Sequence, residues 1–80
     1  MSIKYKTVDE QEWTDQFSNN LQHVIAKKKI QKKELAKQLG ITNAMLSRYI
    51  HGAATPSVYK ACQIANALGC DINDLICNND

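Results

Sequence analysis

No stretch of this chain is apolar for long enough to cross a bilayer, and its start, MSIKYKTVDEQEW, has neither an h-region nor a cleavage site. Membrane-spanning and secreted readings fall away, and a cytoplasmic location is expected. There is one proline, Pro56, and no repeat, low-complexity segment or alternating strand pattern. The cysteines are few and odd in number: Cys62, Cys70 and Cys77 form no C-x-x-C pair. They argue for reduced thiols rather than a disulfide framework, and without a fourth ligand at zinc spacing no metal site is expected. A glycine-rich phosphate loop is missing too. His23 and His51 have no cysteine or carboxylate at catalytic spacing, so neither an enzyme nor a cofactor is expected.

What is present is a chain of 80 residues, enough for one domain with a modest core and no deep, walled cleft. Its net charge of +2 conceals an uneven distribution. Between residues 20 and 60, Lys27, Lys28, Lys29, Lys32, Lys33, Lys37, Arg48 and Lys60 face a single carboxylate, Glu34, while both flanks are acidic. A basic centre between acidic ends favours a polyanionic partner, most simply nucleic acid. A solvated lysine face that aids solubility would give the same balance.

Apolar periodicity predicts five short helices and an all-α fold. Residues 1–12 are polar and without a period, and are expected to form an arm, flexible at least in part, ahead of a domain over 13–77 and a tail at 78–80. Trp13, Phe17, Leu21, Val24 and Ile25 trace one stripe of a 3.6-residue period. Thr14 or Thr7 could cap this first helix, with Asp15 or Asp9 in its first turn, and the lysines at 27–29 suit the negative end of its dipole. A second helix is expected over Lys32–Leu39, burying Leu35, Ala36 and Leu39 and stopped by Gly40, which tolerates the left-handed conformation beyond a helix end.

Ile41, too apolar for an exposed loop, should plug into the core, and Thr42 is a good N-cap for a third helix, Asn43–Ile50. Met45, Leu46, Tyr49 and Ile50 are its expected buried side; Asn43, Ala44, Ser47, Arg48 and His51 lie opposite. Past Pro56, a fourth helix capped by Thr55 or Ser57 runs to Leu68, with an expected stripe of Val58, Ala61, Cys62, Ile64, Ala65 and Leu68. That stripe makes Cys62 a core residue rather than a nucleophile. Gly69 ends the helix, and Asp71 can cap a last short one carrying Ile72, Leu75 and Ile76.

The stretch ELAKQLGITNAMLSRYIHG, residues 34–52, interrupts a good helix with a tight corner and restarts it with small and polar residues facing outward. Two short helices crossing near a right angle require a small residue where they press together, here Ala36, and a reversal, here Gly40. Such a unit holds its later helix proud of the surface, where it can enter the major groove of B-DNA, about 12 Å wide.

From Leu21 to Leu75 the chain resembles the helix-turn-helix domain of the lambdoid phage repressor, Cro and Xre-type regulators. The resemblance lies in helix order, ELAKQLGIT, Gly52 after the third helix, Pro56 before the fourth, and IANALGCDINDL. It implies a five-helix, lambda-repressor-like DNA-binding domain whose helices 2 and 3 form the helix-turn-helix. It further implies sequence-specific binding of double-stranded operator DNA, usually as a homodimer on a pseudo-palindromic site, to control transcription as a repressor or controller. Asn43, Ala44, Ser47 and Arg48 fall where such proteins contact base edges, and a guanidinium at 48 can grip guanine O6 and N7 together. Lys32 falls where the second helix meets the DNA backbone; Lys33, Lys28 and Thr55 are weaker phosphate candidates. The dimer is expected through the last and first helices, with Ile76, Leu75 and Trp13.

Two departures from that pattern stand out. Relatives often carry basic residues after the glycine at 52, where this chain has Ala53 and Ala54. Many also pair an Arg in the first helix with a Glu near the end of the third; here the positions are Ile25 and Ile50, so an apolar contact should replace an ion pair. A competing function is a protein-interaction module, such as an antitoxin, using the same fold to bind a protein. No small-molecule ligand and no membrane partner is expected.

Overall fold

The computed structural model describes residues 9–77, which form α1 (Glu10–Lys28), α2 (Lys32–Leu39), α3 (Asn43–Ile50), α4 (Val58–Leu68) and α5 (Asn73–Ile76). Of the expected arm, residues 10–12 are instead the first turn of α1, because Asp9 caps it: the carboxylate accepts from the Glu12 backbone N–H at 2.7 Å. Residues 1–8 and 78–80 lie outside the described part.

The expected caps of α3 and α4 are in place. Thr42 accepts from the Met45 N–H, and Ser57, rather than Thr55, accepts from the Lys60 N–H, both at 3.0 Å. Asp71 takes the Asn73 N–H at 3.0 Å as α5 begins. Helices α1 to α4 share one way of ending, a residue at positive φ whose successor's N–H turns back to the carbonyl five positions earlier. At the corner between α2 and α3, Gly40 has φ +70° and Ile41 donates to the Ala36 carbonyl at 3.0 Å. Ile41 is half-buried against the core, as its composition demands.

The core joins Phe17, Leu21, Val24 and Ile25 of α1 to Leu35, Ala36, Leu39, Leu46, Tyr49 and Ile50, with Ala61, Ile64, Ala65, Leu68 and Leu75 closing it. Trp13 stacks on Phe17 at a centroid distance of 5.6 Å. Leu75 is fully enclosed within this core, so it is withdrawn from the expected dimer surface; Ile76 and Trp13 keep part of their area exposed.

The α4 stripe is narrower than its sequence suggests. Ala61, Ile64, Ala65 and Leu68 are buried, whereas Cys62 is exposed and Val58 is 78% exposed. Cys62 stands roughly 100° around the helix from Ala61, beyond the edge of the packed face, and Val58 is the first helical residue.

Helix α1 also closes the C-terminal ends of three other elements with polar side chains. Ser18 Oγ–H and Gln22 Nε2–H both donate to the Ile50 carbonyl at the end of α3, the latter at 2.7 Å. Asn20 Nδ2 donates to the Leu75 and Cys77 carbonyls at 2.9 and 3.0 Å, ending α5. Lys28 Nζ donates to the Gly69 carbonyl at 3.2 Å, beyond α4. Helix ends leave carbonyls without intrahelical partners, and here one long helix supplies the donors.

Candidate nucleic-acid interface

Helix α3 is aimed by its two ends. At its start, Gly40, Ile41 and Thr42 turn the chain and cap it. At its end, Gly52 at φ +74° passes so close to α1 that a Cβ there would lie 3.3 Å from Asp15 Oδ1 and 3.6 Å from Ser18 Cβ. Leu46, Tyr49 and Ile50 bury the inner side, so Asn43, Ala44, Ser47 and Arg48 are left exposed together on the outer one. Arg48 is held loosely, with Nη2 3.5 Å from the Ala53 carbonyl oxygen, at the outer limit of a hydrogen bond.

The lysines sort by position. Lys32 and Lys33, at the start of α2, line one hollow with Asn43, Ser47 and His51 of the α3 side. Candidate phosphate-gripping and base-reading groups therefore meet along the α2–α3 seam. Gln31 makes no side-chain cap on α2, which leaves the first N–H groups of that helix without a side-chain acceptor beside Lys32. Lys28 directs one N–H of its ammonium to the Gly69 carbonyl at the end of α4.

Thr55 is exposed, but its hydroxyl lies 2.6 Å from that of buried Thr14, which itself donates to the Glu10 carbonyl at 2.8 Å. Either hydroxyl can donate in that pair, so Thr55 is engaged with Thr14 and is a less available phosphate donor than the exposed lysines.

Ile25 and Ile50, where relatives place an ion pair, are both buried, 7% and 2% exposed, and both line a hollow of about 550 Å³ between α1, α2 and α3. The polar work of joining α1 to the end of α3 is done by Ser18 and Gln22, which sequence reasoning passed over. The signal was available: Thr14, Ser18 and Gln22 recur at intervals of four beside the apolar stripe, and Thr14 and Ser18 are buried on that seam. Lys29, which the sequence marks only as part of the basic centre and of the lysines matching the α1 dipole, lines the same hollow with Gln22, Lys32 and His51.

The cysteines stand apart from this surface. Burial pushes the Cys70 thiol up, with Asp74 and then Asp71 adding to the effect and Lys28 opposing it. Among the described residues no cluster of His, Cys, Asp and Glu could hold a metal ion, and no helix is long and apolar enough to cross a membrane.

Comparison with known proteins agrees with the architecture. The crystal structure of a "hypothetical transcription factor NHTF from Neisseria" superposes with a TM-score of 0.78 over 98% of this chain and 90% of the other, at 20% sequence identity. Identity that low speaks to the fold. No curated protein matches the chain. Residues 22–75, the span from the last turns of α1 through Leu75, match the helix-turn-helix family, and the chain belongs to that family, of Cro/C1 type, whose members are DNA-binding regulators.

Proposed function

We propose that this protein is a transcriptional regulator that binds double-stranded DNA sequence-specifically, laying α3 in the major groove, and that it acts as a repressor or controller. The observation that carries the reading is the exposed α3 face, Asn43, Ala44, Ser47 and Arg48, standing along one seam with Lys32 and Lys33. In this reading Arg48 grips a guanine edge, Asn43 meets an adenine or a nearby phosphate, and Ala44 touches a thymine methyl. Lys32, with the unblocked start of α2, holds a backbone phosphate, and Lys33 supports it. Two copies bind as a homodimer, their reading helices about 34 Å apart, which calls for an imperfect palindrome. Exposed parts of Trp13 and Ile76 are the subunit surface in this proposal. Regulation is by occupancy in the cytoplasm, with no cofactor and no small-molecule ligand.

Selection of bound duplexes from a random pool tests the whole reading, with two-fold symmetry expected in the enriched sequences. A dimer neutralising about eight phosphates should show a log–log salt slope near −7. No enrichment, together with a flat salt response, would remove the reading in favour of a protein partner for the same surface.

A further inference from the structure

We infer that Lys29 is a phosphate-gripping residue on the α1 side of the reading helix, retained there against a backbone penalty; the inference rests on the DNA-binding reading above. Lys29 has φ +55° and is the non-glycine residue at positive φ among the described residues, whereas the other three left-handed helix ends are glycines 40, 52 and 69. The left-handed region brings Cβ against the carbonyl oxygen, so glycine suits such a position better than lysine on folding grounds alone.

Among the described residues no side-chain hydrogen bond or ion pair of Lys29 explains the choice. The turn is closed by backbone bonds, Lys29 N–H to the Ala26 carbonyl and Ile30 N–H to the Ile25 carbonyl at 3.2 and 3.0 Å, which a glycine would make equally well. The side chain is exposed and lies on the rim of the hollow beside Lys32 and His51, next to the uncapped start of α2 and the end of α3. Lys28, one residue earlier, has its ammonium on the Gly69 carbonyl; the two lysines thus serve different neighbours. An ammonium at 29 adds a cation to the hollow that Lys32 shares with the end of the reading helix. It also offsets the missing cations at Ala53 and Ala54.

The test is anisotropy titration of a labelled random-sequence duplex against salt, with melting followed by circular dichroism. Lys29→Gly is expected to raise the melting temperature by a few degrees through relief of the left-handed penalty. It is also expected to lower the magnitude of the salt slope by about one per subunit, about two for the dimer, with dimer binding about a hundredfold weaker at 50 mM salt. Lys29→Arg, keeping the charge, should retain the wild-type slope, and Lys28→Ala, losing the same charge at α4, should retain it too. An unchanged slope in Lys29→Gly, or an equal fall in Lys28→Ala, overturns the inference while leaving DNA binding in place. A wild-type protein with no salt-dependent affinity for the duplex defeats the underlying reading instead.

Discussion

The end of α3 hangs on one carbonyl, and a double-mutant cycle can weigh how it is held. The Ile50 carbonyl receives Ser18 Oγ–H and Gln22 Nε2–H, and Gln22 also lies 3.3 Å from Ser18 Oγ. Among the described residues no turn or loop backbone N–H reaches it. Ser18 is 5% exposed and Ile50 2%, so water has little access to replace a lost donor. Ser18→Ala removes one buried hydrogen bond and should cost about 1 kcal/mol; Gln22→Ala, on the exposed side, should cost about 0.5 kcal/mol. Either single variant leaves the carbonyl one donor. The double variant leaves it none, and a buried acceptor without a partner adds about 1–3 kcal/mol beyond the two single losses. A combined loss near 3 kcal/mol corresponds to a fall in melting temperature of roughly 12–24 °C for a domain of this size. Urea unfolding of the four proteins at constant m-value measures the coupling directly. Additive losses would mean that water or a backbone shift satisfies the carbonyl, and α1 would then not be what fixes the far end of α3.

Other substitutions separate the roles argued above. Arg48→Ala should cost about 1–3 kcal/mol at the selected site and relax preference at one base pair, whereas Lys32→Ala should weaken all duplexes alike; equal losses on selected and random DNA for both would erase the division between reading and gripping. Ile25→Arg places a charge at a buried core position and should lower the melting temperature by roughly 10–20 °C, while a wild-type melt would show that Ile25 is not buried as described. Gly40→Ala meets open space and should cost about 1 kcal/mol for the left-handed backbone alone, and Gly52→Ala, also at positive φ, should cost about the same, because only the exposed Asp15 carboxylate, 3.3 Å from the new Cβ, has to give way; a much larger loss at Gly52 would show that Asp15 is held in place. Thiol labelling at neutral pH should modify exposed Cys62 well before Cys70, whose raised pKa and partial burial both slow it, with peptide mapping as the readout.

Much of this was legible in the chain because the signals are local. The 3.6-residue stripe in α1, the glycine stops at 40, 52 and 69, the Thr42 cap and the outward set on α3 each follow from residues a few positions apart. Helix type, order and the exposure of Asn43, Ala44, Ser47 and Arg48 came from that level. The errors have physical causes as well. α1 began three residues early because Asp9 capped a polar turn that carries no apolar period. Val58 and Cys62 were placed inside because a stripe read from sequence has no edges until a neighbouring helix sets them.

What the sequence determined by itself was the set of helices and the placing of a corner between α2 and α3, because propensity, capping and periodicity act over one or two turns. What only the tertiary structure decided was the use of the polar side chains. That Ser18 and Gln22 hold α3, that Lys28 closes α4 while Lys29 remains on the outer rim, and that the Thr55 hydroxyl pairs with that of Thr14 are outcomes of contacts between residues far apart in the chain. A hydroxyl or an ammonium has no preferred partner until packing brings an acceptor within about 3 Å, and that distance is a property of the assembled helices.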